Sequence, residues 1–160
     1  MIRHEAPSGA ASQALFAEYL ALVRERLGDA FVPTEEIFAT EDDFRGEGAA
    51  WLVLYEGDAA VACGGLRPLA PGVAEIKRMY VVPDARSRGV GRALLVALEE
   101  ACRELGYDRV RLDAGPAQEH SKSLFERTGY VPTRKYNDNH IADYFAEKDL
   151  RPEGPVAADP

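Results

Sequence analysis

Arg86-Ser87-Arg88-Gly89-Val90-Gly91-Arg92-Ala93 is the stretch on which the reading of this chain turns. Ahead of it, Glu75 to Val82 has the β-branched and long side chains of a strand, and Pro83 to Arg88 reads as a loop. Behind it, Val90, Ala93, Leu94, Ala97, Leu98, Ala101 and Leu105 recur at spacings of three and four, which predicts an amphipathic helix closed by Gly106. Two glycines at such a junction let the main chain approach a ligand without Cβ interference. A helix opening there aims free N–H groups and a positive dipole end at an anion. Residues 77–92 carry Lys77, Arg78, Arg86, Arg88 and Arg92 against Asp84 alone, a net of +4 in a chain whose net charge is −8. A basic island at a glycine-rich helix start in an acidic protein reads as a seat for phosphate or pyrophosphate.

Three readings of that seat compete. A P-loop requires Lys-Ser/Thr after its glycines, and none follows here. A dinucleotide-binding unit gains support from Asp113, about 20 residues on, where an acid for a ribose would stand. Against it, Leu94 occupies the third glycine position, and six residues, Pro83 to Arg88, separate strand from glycine. A helix entry with incidental arginines is the third.

Working outward, Ile2 to His4 fits a short strand, and Leu15, Phe16, Tyr19, Leu22, Val23 and Leu27 place a helix over Ser12 to Leu27, stopped by Gly28. Pro33 to Arg45 is acidic and broken, a short helix with loops. Trp51 to Tyr55 and Ala59 to Leu66 form a hairpin about Glu56-Gly57-Asp58, followed by a turn over Pro68 to Gly72. Arg109 to Asp113 alternates as a strand, Gly115-Pro116 breaks it, and Glu119 to Arg127 is a helix closed by Gly129. Tyr130 to Lys135 and Ala142 to Leu150 read as two late strands. The result is a mixed α/β (α+β) sandwich in one domain, residues 1–150, with residues 151–160 expected as a disordered tail.

Composition removes several function classes. The negative balance opposes nonspecific nucleic-acid binding, which needs a basic surface. No stretch approaches the roughly 18 unbroken apolar residues of a membrane span, since Glu18, Arg24, Glu25 and Arg26 interrupt the least polar early segment. Met1 to Glu5 lacks the basic-then-apolar pattern of an export signal, so a reduced, cytoplasmic setting is the default expectation. Cys63 and Cys102 suggest no disulfide framework, and no His/Cys cluster has metal spacing.

Val81-Val82-Pro83, Arg86-x-x-Gly89-x-Gly91 and Arg92-Ala93-Leu94-Leu95 resemble the acetyl-CoA motif of the GCN5-related N-acetyltransferases, the GNAT superfamily. Leu124-Phe125-Glu126-Arg127-Thr128-Gly129-Tyr130 resembles the same superfamily's helix ending in Gly-Phe or Gly-Tyr. The likeness covers about residues 50 to 150. It implies a GNAT fold: a central mixed, mostly antiparallel sheet with a splayed parallel strand pair and flanking helices. It also implies acetyl-CoA as cosubstrate, with the N–H groups from Arg88 to Ala93 (Arg88, Gly89, Val90, Gly91, Arg92, Ala93) on the pyrophosphate, aided by Arg86. Val81 and Val82 would pair their backbone with the pantetheine arm, and one of their N–H groups would polarise the thioester carbonyl. Transfer would be direct, to a primary amine of a small molecule or peptide, with no nucleic acid or membrane as partner. Superfamily members are often dimers, which allows a homodimer here.

Glu75 matches a position where the superfamily places a glutamate base, and the competing reading is a surface carboxylate paired with Lys77. The departure is Phe125, where many members have a tyrosine that protonates the departing thiolate. Ser121, Tyr136 and Tyr144 are substitute donors, Tyr136 being the one assigned a catalytic role. Gln118 and Ser121 stand where the family often has Asn and Ala, and Gln118 and Phe125 complete the expected cofactor set. Phe125 also motivates the rival expectation of a catalytically weak acyl-CoA-binding or regulatory module. A nicotinamide-dependent oxidoreductase is the third. His120 reads as a surface residue in preference to a lining residue of the cofactor arm, Trp51 as core, and Asp113 as a strand-end turn residue. His140 with Tyr136, Asn137, Asp138, Asn139 and Tyr144 is either an acceptor wall or a solvated turn, and Glu35 to Asp43 either attracts a cationic acceptor or is solvated.

Overall fold

The computed structural model describes residues 1–152; the rest of the tail expected to be disordered lies outside the described residues. Seven strands form one sheet in the order β1-β2-β3-β4-β5-β7-β6. They are β1 (Ile2–His4), β2 (Ala50–Glu56), β3 (Ala59–Ala70), β4 (Val73–Val81), β5 (Arg109–Ala114), β6 (Val131–Pro132) and β7 (Tyr144–Asp149). Neighbours are antiparallel except β4 and β5, which run parallel. Helices α1 (Ala10–Leu27) and α2 (Glu35–Phe38) cover one face, and α3 (Val90–Glu104) packs on the other; α4 (Glu119–Arg127) follows β5.

Strand alternation builds the two cores. On β2, Leu52 and Leu54 turn toward α3, while Trp51 and Val53 turn toward α1. The α3 side collects Leu66, Ile76, Leu94, Leu98, Val110 and Leu112, each of which stabilises the fold by about 1.5–3 kcal/mol on burial. The α1 side stacks Leu15, Tyr19, Val23, Phe38 and Phe44 over β2 and β3. Trp51 Nε1 donates to Ser12 Oγ at 2.8 Å inside this layer, keying α1 to the sheet.

Three departures from the sequence reading matter for the site. Strand β3 runs to Ala70 and β4 starts at Val73, because Arg67, Pro68 and Ala70 pair with Glu75, Ala74 and Val73 rather than forming a turn. The late strand expected over 130–135 shrinks to Val131–Pro132; beyond Thr133, whose N–H donates to Phe145 O, the chain leaves the sheet and sends Asn137 and Asn139 inward. Strand β4 also bulges: Arg78 and Met79 together oppose Gly64, between the pairs Gly65↔Lys77 and Cys63↔Tyr80. Arg78 adopts φ +54° there, a strained state for a side chain that size. Its guanidinium offsets the cost by donating to Phe38 O and Ala39 O, both at 2.9 Å, and by lying 4.0 Å from the Phe16 ring centroid. The end of α2 is thus pinned to the bulge.

Candidate functional site

The turn between β4 and α3 presents donors without acceptors. Pro83–Ala85 forms a 3-10 turn, Ser87 and Gly89 take φ +61° and +81°, and α3 starts at Val90 with no side chain capping it. Ala93 N–H donates to Gly89 O at 2.9 Å and so closes the first helical turn. That removes Ala93 from the expected anion donors, and its N–H is internal to the helix. The N–H groups of Val90, Gly91 and Arg92 precede that bond and remain open to an anion. A Cβ on Gly91 would stand 3.3 Å from Leu124 Cδ2 and 3.6 Å from Val81 Cγ2, so the bare glycine leaves a cradle that any side chain would fill.

That cradle opens on a cleft of about 390 Å³ bounded by the Met79–Val81 edge of β4, the 86–92 turn and α4. Arg86 lines it and donates from Nε to Val81 O at 3.0 Å. Arg92, Ser87 and Gln118 also line it, as do His120, Ser121 and Thr128. Arg88 does not: its guanidinium turns to Glu56 Oε2 at 3.0 Å on the exposed surface. The Val90 side chain is core, leaving only its main chain for a ligand. Val82 N–H donates to Val61 O at 3.0 Å and is already spent on β3, which corrects its expected role. By strand alternation Val81, opposite Ala62, turns its main chain away from β3 toward the cleft.

The parallel ladder of β4 and β5 ends at Ile76↔Leu112, and past it the strands part. Between them lies a second, smaller cavity of about 30 Å³. Tyr19, Val23, Leu27, Ile37, Phe38 and Ile141 give it apolar walls, and Lys77, Asp113 and Asn139 give it a polar end. Lys77 Nζ sits 3.1 and 3.0 Å from the two Asp113 oxygens, and Asp113 Oδ2 also accepts from Asn137 at 2.6 Å and Asn139 at 3.2 Å. Asp113 is therefore part of a buried ion pair on the cavity wall, not the turn residue expected.

Glu75 lies behind this wall. It is fully buried and lines neither cleft. Arg67, its direct partner across β3 and β4, donates from Nε to Oε1 at 3.0 Å, and Asn137 Nδ2 donates to Oε2 at 3.1 Å. Neither the open base nor the surface pair with Lys77 describes it, because Arg67 takes the carboxylate and Asp113 takes the lysine. Arg67 continues to Asp43, whose carboxyl burial would raise; hydrogen bonds from Thr40 N–H and Oγ1, with Arg67, hold it below the usual range instead. The acidic segment is thus partly tied down rather than simply solvated.

Tyr136, expected as an acid, also lines neither cleft. Its hydroxyl is buried without a partner among the described residues, and its ring meets Phe145 edge-on at 5.8 Å. Burial, then the Glu75 and Asp113 charges, push its phenol far above the ordinary value. Tyr144 OH is likewise buried and has no partner among the described residues, while Ser121 reaches only the larger cleft. Phe125 packs against Tyr130 at 5.6 Å and lines the smaller cavity with no proton to give. Both cysteines are buried away from the clefts, and burial pushes each thiol up to about 12. Among the described residues no group of three or more His, Cys, Asp or Glu could hold a metal ion, and no helix is long and apolar enough to cross a membrane.

Three side chains line both clefts and mark their junction: Tyr19, Met79 and Gln118. Sequence reasoning found Gln118 and missed the others. Tyr19 was hidden in the apolar stripe of α1, and Met79 in the strand, where the bulge brings it to the cleft.

Residues 14–130 match the model of the Acetyltransferase (GNAT) family. An uncharacterised N-acetyltransferase of Escherichia coli K12, YjgM, is 32% identical over 85 residues, covering 51% of this chain and 50% of the relative. The chain thus matches about half the length of that relative. An IAA acetyltransferase of Azospirillum brasilense is 31% identical over 104 residues, 62% of this chain and 67% of the relative. Among solved structures, a GNAT-family acetyltransferase of Staphylococcus aureus Mu50 superposes with TM-score 0.76 at 14% identity, covering 94% of this chain and all of that one. An aminoglycoside 6′-N-acetyltransferase complexed with coenzyme A gives TM-score 0.71 at 15% identity, over 96% and 99% of the two chains. At these identities the two structures speak for the fold alone.

Proposed function

The chain belongs to the GNAT acetyltransferase family, and on that premise we propose that it transfers the acetyl group of acetyl-CoA directly to a primary amine of a small molecule or peptide. The observation that carries this reading is adjacency: the cleft at the start of α3 and the edge of β4 shares Tyr19, Met79 and Gln118 with the cavity between β4 and β5. The residues present fit the donor. Val90, Gly91 and Arg92 would hold its diphosphate through main-chain N–H groups, with the Arg86 and Arg92 guanidinium groups beside them. The bare Gly91 admits the ligand, and the outward main chain of Val81 pairs with an extended arm as a further strand would. Acetyl-CoA supplies the activated thioester when bound.

The amine enters the smaller cavity. Its apolar walls and volume of about 30 Å³ suit the nitrogen and the first carbons of a hydrocarbon stem, and the Lys77–Asp113 pair with Asn139 closes its polar end. The ammonium must shed a proton before its nitrogen can attack. Glu75, held by Arg67 and Asn137, is a positioning residue in this account, and Asp113 is the carboxylate that faces the substrate.

Phe125, buried on the wall of the smaller cavity without a proton to give, favours one second reading: a module that binds acyl-CoA and turns it over weakly. Calorimetry with acetyl-CoA, followed by thiol release across a panel of primary amines, tests both. Binding with amine-stimulated release of coenzyme A is the expected result. Binding with no stimulation by any amine would support the module, and absence of binding would overturn both.

A further inference from the structure

We propose that Tyr19 is the hydrogen-bond donor that stabilises the departing thiolate, the task Phe125 cannot perform. The inference rests on the acetyl-CoA reading above, because it needs the acyl donor in the larger cleft and the amine in the smaller one. The atom that changes hands has to be reachable from both, so the side chains lining both clefts bound the reacting centre. Of those three, Met79 has no O–H or N–H to offer from its side chain. Gln118 commits its Oε1 to Gly115 N–H at 3.1 Å, and a carboxamide is the weaker donor. Tyr19 alone brings a hydroxyl.

That hydroxyl is uncommitted. It makes no hydrogen bond with any of the described residues, whereas the neighbouring Tyr80 donates to Glu18 and Tyr130 donates to Glu99. The ring is fixed by packing: it stacks on Tyr80 at 5.5 Å and meets Phe38 edge-on at 5.6 Å. A ring held by packing on the wall the two clefts share, with an O–H that no described residue takes, is a preorganised donor. Burial, reinforced by the Asp113 carboxylate, holds the phenol protonated well above its ordinary value. Such a group lends a hydrogen bond without losing its proton. In the transfer, the nitrogen lone pair forms the N–C bond and the C–S bond breaks with its electron pair going to sulfur. Tyr19 O–H donates to that sulfur and stays intact. The nitrogen's surplus proton passes to solvent, from which the thiolate later takes one.

The test is the ionisation of bound coenzyme A, followed by ultraviolet thiolate absorbance in the wild type and in Tyr19→Phe. The substitution keeps the ring packing and removes a hydroxyl that has no partner among the described residues, so the variant is expected to melt with the wild type. In the wild type the bound thiol should ionise below its value in free coenzyme A. In Tyr19→Phe it should ionise about one to two units higher than in the wild type, the size of a hydrogen bond to a charged group. Turnover should fall about ten- to a hundredfold with little change in KM for acetyl-CoA. Coenzyme A bound equally by both proteins, with the same thiol ionisation, would overturn the role of Tyr19 and leave the acetyl-CoA reading standing. A wild type that binds no coenzyme A would overturn that reading itself.

Discussion

Lys77 and Asp113 form a buried ion pair one residue past the last main-chain pair of β4 and β5, Ile76↔Leu112. Where the parallel ladder stops, a side-chain bridge takes over and fixes the distance at which the strands part. Their side chains are 2% and 7% exposed, so neither charge has water to fall back on.

Removing one partner therefore leaves a buried charge behind. Asp113→Asn should lower unfolding free energy by about 3–5 kcal/mol. Lys77→Met should cost toward the low end of that range, since Asn137 and Asn139 still donate to the remaining carboxylate. The double variant Lys77→Met/Asp113→Leu should recover much of the loss while abolishing amine acetylation. Urea unfolding of the four proteins checks the comparison; a double variant that costs as much as Asp113→Asn alone would contradict it.

Glu75→Gln separates structure from chemistry. With both oxygens held by Arg67 and Asn137 and no access to either cleft, the carboxylate cannot reach an amine. The variant should lose about 1.5–3 kcal/mol of stability by weakening the contact with Arg67, which keeps Asp43 as a partner, yet keep a pH–rate profile of wild-type shape. Loss of the acidic limb of that profile in a folded variant would return the base to Glu75.

The thiols give a pH dependence of definite sign. Burial pushes Cys63 and Cys102 up to about 12 in the fold, against about 8.5 in an unfolded chain. A group protonated more readily when folded contributes its stability fully below the unfolded value and loses it as pH rises toward the folded one. Between about pH 8.5 and 12 each thiol should steepen the loss by up to about 1.4 kcal/mol per unit. Cys63→Ala/Cys102→Ala should flatten that limb in denaturant titrations at pH 8 to 11. In the native wild type, a thiol-exchange reagent at pH 8 should modify neither cysteine until the protein unfolds.

What the sequence made legible was whatever local pattern encodes. The strand–turn–helix from Glu75 to Leu105 carries its own periodicity and its own glycines, so the fold and the proposed diphosphate seat could be read from it. Which N–H groups are free was only half legible: Ala93 and Val82 lie in the motif, but helix closure and the β3 ladder consume their donors. Partners distant in sequence were not legible. Arg67 reaches Glu75 through strand register, and Asn137 reaches Asp113 from a loop whose composition spoke only of a turn. Tyr19 looked like core because a cleft-lining ring and a core ring share the same helical spacing.

Gly91→Asp offers the sharpest separation of folding from binding. Gly91 lies within the helix with ordinary backbone, so a side chain there adds no conformational strain, and its Cβ would meet Leu124 Cδ2 at 3.3 Å, a contact that a shift of a few tenths of an ångström relieves. A carboxylate in the first turn of α3 interacts favourably with the positive dipole end, worth about 0.3–1 kcal/mol, while Gly in a helix interior is itself unfavourable by about 1 kcal/mol. The variant should thus be at least as stable as the wild type. The same carboxylate occupies the cradle with the charge of the diphosphate it displaces. Losing one or two charge-assisted hydrogen bonds there should weaken coenzyme A binding more than about a hundredfold, and calorimetry reads that directly. Truncated donors that end at the pantetheine arm and so lack the diphosphate should bind wild type and variant alike, because neither the N–H groups nor the new carboxylate would then have an anion to act on. Unchanged coenzyme A affinity in the folded variant would mean that the start of α3 does not hold the diphosphate.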